Sequence, residues 1–196
     1  MDGLYLYYYY EQKMGPFRML TDLSVDEARK IVVSEVKKTH TEYTDVDGFL
    51  QMRYNCDARL RETFAARGGY IERNNPVYMM LGEHSSWATA YENPAVIKIP
   101  LAEIDPMTVS FTYGDSFVVF EQNKYSTEEY WGKVYFKDEI LELISRIGYP
   151  PQVLYDFKAE NYTKYSPVAD HLLYVEAHVW SNSLLDKYRK ANNAVY

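Results

Sequence analysis

The chain has 196 residues, of which 47% are hydrophobic and 25% are charged. These proportions are those of an ordinary globular protein, and they exclude a disordered or collagen-like chain. The net charge of −7 argues against a general nucleic-acid binder and against a protein of anionic membrane surfaces. Tyrosine is the unusual residue, because its 21 copies outnumber the leucines.

The single cysteine indicates a reducing compartment, because Cys56 has no partner for a disulfide within the chain. Residues 1–5 lack the basic start and long aliphatic run of a signal peptide. No apolar run approaches the ~20 residues that a transmembrane helix needs. We therefore expect a cytoplasmic protein that does not enter membranes.

The first third of the chain predicts a strand and two helices. Residues 4–10 are rich in aromatics and read as a strand. Ser24 and Glu27 have the spacing of a capping box, which starts a helix with an apolar face through Val36. A second helix extends to Arg67 and stops at the Gly68–Gly69 pair.

The middle of the chain predicts strands. Residues 77–81 follow Pro76 as a short apolar strand, and residues 95–101 form another with Ile97, Ile99 and Leu101 on one face. Residues 108–121 predict a hairpin, because apolar and polar residues alternate before a turn at Gly114 and Asp115.

The last third predicts a short strand at 134–136, a helix capped by Asp138 that ends at Gly148, and a long ordered loop over 150–168. A final strand follows over 171–180, and a terminal helix capped by Ser183 extends through Lys190. The sequence thus predicts one α+β domain over residues 1–196, a mostly antiparallel sheet of about six strands with three or four helices.

The common catalytic and nucleotide motifs are missing from the sequence. It contains no Walker loop, dinucleotide-type glycine fingerprint, His-Glu-x-x-His or Gly-x-Ser-x-Gly element. One thiol cannot build a zinc site from paired cysteines. No cofactor can be named from these residues.

The final strand carries the first candidate site. Alternation places Tyr174, Glu176, His178 and Trp180 on one side. Aromatic rings exclude water, so Glu176 could act as a base or stabilise a cation and His178 could exchange a proton. The alternative is that this side is only the wetter face of an edge-exposed sheet.

An arginine cluster forms the second candidate, as a site for a phosphate or carboxylate. The alternative is a set of solvated surface arginines with one structural ion pair. Arg53 would lie on the apolar stripe of a helix over 49–64, so either the helix starts later, capped by Asn55, or Arg53 is partly buried beside a carboxylate. The cluster contains Arg53, Arg59, Arg61, Arg67 and Arg73.

The loop after the 77–81 strand is the third candidate, because Glu83 and His84 with Ser86 could supply a base and a nucleophile. Adjacent residues seldom aim at one point, however, and a Ser–His pair normally converges from distant positions.

The fourth candidate is a metal site, whose ligands could come from His84, Asp170, His171, Glu176 and His178. Those residues have no established ligand spacing, so we assign no metal.

The first strand is the densest group of tyrosines. Tyr5, Tyr7 and Tyr9 would share one face, with Tyr8 and Tyr10 on the other. Tyrosine is common at interfaces and in half-wet clefts, whereas the simpler explanation is strand propensity with cross-strand aromatic pairing. Self-association through a Tyr-rich surface follows as one expectation.

Several stretches resemble a family of uncharacterised bacterial proteins, which implies a bacterial protein and no particular activity. They are residues 15–18, 75–82, 99–101, 110–116, 132–135 and 175–180.

The sequence favours a binding or interaction module with an aromatic sheet face. The alternative is a nucleotide-handling, ADP-ribosyltransferase-like enzyme, in which Glu176 would stabilise an oxocarbenium-like transition state and an arginine would bind phosphate. A metal-dependent hydrolase is a second alternative. The expected ligand is small and anionic or a nucleotide.

Overall fold

The computed structural model describes residues 3–36, 45–120, 126–150 and 174–192. Its strands are β1 Tyr5–Glu11, β2 Val77–Leu81, β3 Pro94–Pro100, β4 Val109–Tyr113 and β5 Val175–Val179. Its α-helices are α1 Val25–Ile31, α2 Val46–Ala66, α3 Ser116–Val119, α4 Lys137–Ile147 and α5 Asn182–Asn192. A π-helical turn, Val32–Val36, continues α1.

The five strands form one antiparallel sheet in the order β3-β1-β2-β5-β4. The α+β class is confirmed; the described residues form five strands in place of about six and more helices than the three or four predicted. Along the described ranges, no helix is both long enough and apolar enough to cross a membrane.

The predicted hairpin over 108–121 is wrong in its second half. Gly114 does take a positive φ of 114°, but Asp115 then accepts a hydrogen bond from the backbone N–H of Phe117 and caps α3. An aspartate at this position satisfies a helix donor that a hairpin would leave free. The strand that pairs with β4 is β5, with Val109 opposite Val179. The predicted 134–136 strand is a single bridge from Tyr135 to Phe111.

Two predicted helix caps are each displaced by two residues. The N-cap of α4 is Phe136 and not Asp138, because the Glu139 carboxylate accepts from the Phe136 N–H at 2.8 Å. The hydroxyl of Ser181, not Ser183, accepts from the Leu184 N–H at the start of α5. The capping box of Ser24 and Glu27 is confirmed at α1.

The two faces of the sheet differ in chemistry, and both are covered. One face is apolar: Val77, Met79, Phe111, Ala177 and Val179 pack in a cluster that includes Ile140 and Leu143 of α4 and Leu185 of α5. The opposite face, which we call the polar face, is covered by α2. It carries Tyr78, Ser110, Thr112, Glu176 and His178.

Part of the sequence prediction lies outside the described residues. This holds for the loop from residue 151 onward, for the first residues of the last strand at 171–173, and for Asp170 and His171 of the metal hypothesis.

Candidate functional site

Strand register brings the polar residues of the last strand to the centre of the sheet. His178 lies between Tyr78 of β2 and Ser110 of β4, and Glu176 lies between Met80 and Thr112. The expectation that this is the wetter face of an edge-exposed sheet is wrong, because β5 is an interior strand and α2 covers it. Glu176 is 4% exposed and His178 is fully buried.

A hydrogen-bonded series crosses the polar face from Trp180 to Glu176. The indole Nε1–H of Trp180 donates to Ser110 Oγ at 2.9 Å, and that oxygen lies 3.2 Å from His178 Nδ1. His178 Nε2 lies 3.1 Å from Glu176 Oε2. Since Ser110 already accepts from Trp180, its own hydrogen has His178 Nδ1 as acceptor. In this arrangement His178 Nε2 is the ring nitrogen that faces the Glu176 carboxylate.

This series has the residue types of a nucleophilic triad but not its accessibility. A serine, a histidine and a carboxylate are joined in order, as in serine hydrolases. Ser110 and His178 are both fully buried, so no substrate carbonyl can reach the serine oxygen. The series is a structural support that holds the Glu176 carboxylate in place.

Glu176 is joined to a second carboxyl group through Tyr174. Its Oε2 accepts a hydrogen bond from the backbone N–H of Ser116 at 3.0 Å. The hydroxyl oxygen of Tyr174 lies 3.4 Å from Glu176 Oε1 and 3.3 Å from Asp115 Oδ2. The cap residue of α3 and the central residue of β5 therefore meet at one tyrosine hydroxyl.

The acidity of Asp115 is strongly perturbed. Burial, and then the adjacent Glu176 carboxylate, raise the pKa of Asp115 to about 7. The Phe117 N–H, Arg53 and the Tyr174 hydroxyl act in the opposite direction. An aspartate that titrates at neutral pH beside a second carboxylate is typical of sites that move protons.

Arg53 lies against two aromatic rings on the same side of the sheet. Its guanidinium carbon is 4.5 Å from the centre of the Phe117 ring and 5.1 Å from that of Tyr78. No hydrogen bond joins its buried Nε to any part of the described chain. Burial opposes the charge, but Tyr78, Asp57 and Glu176 outweigh it and raise the pKa of Arg53.

The helix position of Arg53 decides between the two sequence interpretations. α2 begins at Val46, so a later start with Asn55 as cap is wrong. Arg53 is half-buried, as the other interpretation expects, but aromatic rings contact it where a paired carboxylate was expected.

Asp57 anchors α2 to the rest of the site. Its carboxylate accepts hydrogen bonds from the hydroxyls of Thr21 and Tyr78, and it is 1% exposed. Burial raises the pKa of Asp57, although both hydroxyls and Arg53 lower it. Burial also raises the pKa of the Cys56 thiol to about 12, so this cysteine is protonated and is no nucleophile at neutral pH.

The loop after β2 contributes His84 but not Glu83. The His84 ring lies edge-on to Tyr174 at 6.0 Å, and Trp87 does the same at 5.7 Å. His84 Nδ1 is 3.0 Å from Ser86 Oγ, and its backbone N–H donates to the Tyr9 hydroxyl. Glu83 is exposed, so of the three residues predicted to supply a base and a nucleophile only His84 and Ser86 lie in contact.

The other arginines of the predicted cluster do not join Arg53. Arg59 donates to the carbonyl of Phe120 at 2.9 Å, and Arg61 donates to the carbonyl of Asn74 at 2.8 Å. Arg67 pairs with Glu139, and Arg73 pairs with Asp22. Four of the five arginines thus have structural partners, and a shared anion site of all five is not formed.

A surface groove of about 480 Å³ lies away from these residues. It is lined by the end of α2, the 129–135 segment and α4, and Arg67 is the one residue of the predicted candidate sites among its lining residues. Its charges pair with each other: Arg67 with Glu139, and Arg146 with Glu129.

Among the described residues, no group of three or more His, Cys, Asp or Glu could hold a metal.

Sequence reasoning found part of this site and missed the rest. It identified Glu176, His178, Tyr174, Trp180, Arg53 and His84, and the structure places these on one side of the sheet. It missed Asp115, Ser110, Tyr78 and Asp57. Asp115 could have been found as an N-cap candidate, because it comes directly before a possible helix start. Ser110, Tyr78 and Asp57 could not, because their proximity to Glu176 depends on how the strands and α2 pack.

No family model, curated protein or solved structure matches the chain.

Proposed function

We propose that the protein is a binding module for a small anionic ligand, which it holds at Arg53 on the aromatic side of the sheet. The single observation that supports this is the state of the Arg53 side chain. It is half-buried against two rings, and its Nε makes no hydrogen bond within the described chain. A buried guanidinium without an acceptor is costly, and an anion would supply one.

Hydrogen-bond accounting favours an anion although carboxylates are close by. The Asp57 carboxylate already accepts hydrogen bonds from Thr21 and Tyr78. The Glu176 carboxylate already has three hydrogen-bond partners, Ser116, His178 and Tyr174. The carboxylates therefore have little capacity left for a cationic ligand, while Arg53 offers unused donors. Guanidinium recognises a phosphate or a carboxylate in a planar, two-point geometry.

A nucleotide-handling, ADP-ribosyltransferase-like enzyme is the second candidate. One supporting observation is the electrostatic interaction of Arg53 with Glu176. The other is the pair of aromatic rings of Tyr174 and Trp87, on which a nucleobase could stack. In the described state both Glu176 oxygens are engaged by other groups. Catalysis by this glutamate would therefore require the Tyr174 hydroxyl to turn away.

Calorimetric titration of the intact protein with inorganic phosphate and with NAD tests both candidates. We expect binding in the micromolar to millimolar range, as for a small ligand on one charged group. Arg53→Met should weaken it at least tenfold, since a charge-assisted contact is worth about 1.5–3 kcal/mol. Phosphate binding alone supports the binding module, and hydrolysis or transfer from bound NAD supports the enzyme.

Arg59→Met is the matched control, because Arg59 also lies on α2 and over a phenylalanine ring, 4.4 Å from the centre of Phe120. Its donor already binds the Phe120 carbonyl. Binding should therefore be unchanged in this variant. If neither probe binds at about 10 mM, or if Arg53→Met binds like the wild type, the proposed site is wrong.

We also propose self-association as a property to test, although most tyrosines of β1 are turned inward. Tyr7 and Tyr9 are each 9% exposed and their rings stack at 6.3 Å. Tyr5, Tyr70 and Tyr149 remain as exposed tyrosines. Light scattering after size exclusion tests this, and a strict monomer at high concentration would contradict it.

The buried, unpaired Cys56 supports the proposal of a reducing cytoplasmic compartment for this chain.

A further inference from the structure

The hydroxyl of Tyr174 faces two carboxyl groups with only one hydrogen to donate. Its oxygen is within 3.4 Å of Glu176 Oε1 and 3.3 Å of Asp115 Oδ2. If both groups were ionised, one carboxylate oxygen would face a hydroxyl oxygen without a hydrogen between them. A proton on one carboxyl group removes this conflict, because that group then donates to the tyrosine oxygen.

The surroundings decide which carboxyl group carries the proton. Glu176 Oε2 accepts from the Ser116 N–H and lies 3.1 Å from Nε2 of His178, whereas Asp115 has a single backbone donor, so we place the proton on Asp115. Asp115 receives the Phe117 N–H on Oδ1, which leaves Oδ2 for the proton. The hydrogen bonds then run from Asp115 through Tyr174 to Glu176, and every hydrogen has an acceptor.

We propose that Asp115, with Tyr174 and Glu176, forms an acid–base site that stores one proton beside Arg53, and that an anion binding at Arg53 is taken up together with a proton on Asp115. The second half deepens the proposed function and rests on it, whereas the first half does not. The step is a simple protonation: a proton from solvent bonds to Asp115 Oδ2, and the carboxylate becomes a neutral acid.

The coupling follows from the charges around Asp115. Glu176 on β5 and the burial of the site favour the protonated form, while Arg53 on α2 favours the carboxylate. Tyr174 links these groups, and the His84 ring lies against Tyr174. An anion on Arg53 cancels its positive field, so the pKa of Asp115 rises further above about 7 and a proton is taken up.

The stored proton also accounts for how an anion can approach this acidic place. Asp57, Asp115 and Glu176 all lie near Arg53, and three ionised carboxylates would repel an anion. A proton on Asp115 removes one of these charges. The ligand class is therefore an anion that binds more tightly as the pH falls through neutrality.

The first experiment needs no ligand. ¹³C NMR of the aspartate carboxyl carbons across a pH titration should show one signal with a pKa of about 7, which Asp115→Asn removes. Asp105→Asn is the matched control, because Asp105 also accepts a hydrogen bond from the N–H two residues on, at Met107, but is exposed. That variant should keep the signal. The proposed storage site is wrong if the signal disappears in Asp105→Asn or persists in Asp115→Asn.

Two further variants separate an acid–base role from a structural one. Tyr174→Phe removes the hydroxyl that joins Asp115 to Glu176, so the titration of Asp115 should shift from its wild-type position. Arg53→Met removes the charge that an anion would neutralise, and the titration should move upward, with Arg59→Met as the unshifted control. If both titrations stay in place, the proposed coupling is wrong whether or not any ligand binds.

Sulfate is the probe for linked proton uptake, because phosphate itself titrates near neutral pH. Calorimetry in buffers of different ionisation enthalpy should show uptake of up to one proton per sulfate, reduced in Asp115→Asn. Sulfate binding without proton uptake overturns the coupling while leaving the anion site intact. Absence of binding with a normal NMR titration contradicts the proposed function and leaves the storage site supported.

Discussion

Arg53 and Asp57 lie one helical turn apart on the buried side of α2, yet hydrogen bonds hold only Asp57. The aspartate accepts from Thr21 and from Tyr78, whereas the guanidinium of Arg53 rests on the rings of Phe117 and Tyr78. Two charged residues on one stripe of a helix therefore have different roles. Asp57 joins the helix to the sheet, and Arg53 is the residue at which we propose that an anion binds.

This difference predicts unequal losses of stability for two substitutions that each remove a charge from α2. Asp57→Asn should lower the free energy of unfolding by about 1–3 kcal/mol, because an amide cannot accept both hydroxyls and brings two donors. Arg53→Met should cost less than about 1 kcal/mol, since it removes a buried donor without a partner and keeps the apolar stem. Urea denaturation measures both. A larger loss for Arg53→Met than for Asp57→Asn would assign a structural role to Arg53.

The pKa of Asp115 predicts a distinctive pH dependence of stability. Its folded-state pKa of about 7 lies above the ordinary 3.8, so the folded protein holds this proton more strongly than the unfolded chain. The resulting stabilisation is complete below about pH 4 and is lost as the pH rises through about 7, with a slope of up to about 1.4 kcal/mol per pH unit.

Asp115→Asn isolates this effect, because asparagine still caps α3 but does not titrate. The variant should gain stability relative to the wild type between about pH 5 and about pH 8. Denaturant unfolding at both pH values measures the difference, and Asp105→Asn should not reproduce it. A constant difference between variant and wild type at the two pH values would contradict the raised pKa.

Ser110→Ala tests the support behind Glu176. The change leaves the Trp180 Nε1–H and the His178 Nδ1 without partners in a fully buried place, so we expect a loss of about 2–4 kcal/mol. Ser145→Ala is the control, since Ser145 is exposed and bonds only the Glu142 carbonyl within its own helix. It should change stability by less than about 0.5 kcal/mol. Equal effects in the two variants would remove the supporting role.

Local sequence patterns predicted the fold where the local signal was unambiguous. The strand over residues 77–81 is correct to the residue, because Pro76 and Gly82 bound a short apolar run that fits a pleated sheet. The 116–121 segment failed, since its aromatic and β-branched residues suit a strand as well as a short buried helix. The cap at Asp115 decided between them. Strand and helix propensities of these residues alone do not show which of the two structures forms.

The sequence predicted only those site residues that lie together on one strand or one helix. Alternation along one strand placed Glu176 and His178 together, and helix periodicity left Arg53 either partly buried or ahead of a later helix start. Asp115 came close to Glu176 through the pairing of Tyr113 with Val175, between strands far apart in sequence. Such register depends on which strands become neighbours, and nothing local to Asp115 specifies it.

The glycines after α2 give a further test of how the helix end is packed. A Cβ on Gly69 would lie 2.5 Å from the ring of Phe64, which stacks on Trp180 at 6.0 Å between centres. Gly69→Ala should therefore displace both rings and cost about 1–3 kcal/mol. Gly68 has a φ of +91° with open space around it, so Gly68→Ala should cost only the ~1–2 kcal/mol of a left-handed residue. Tryptophan fluorescence separates the two, because only Gly69→Ala should alter the Trp180 environment; an identical spectrum in both variants would contradict the contact with Phe64.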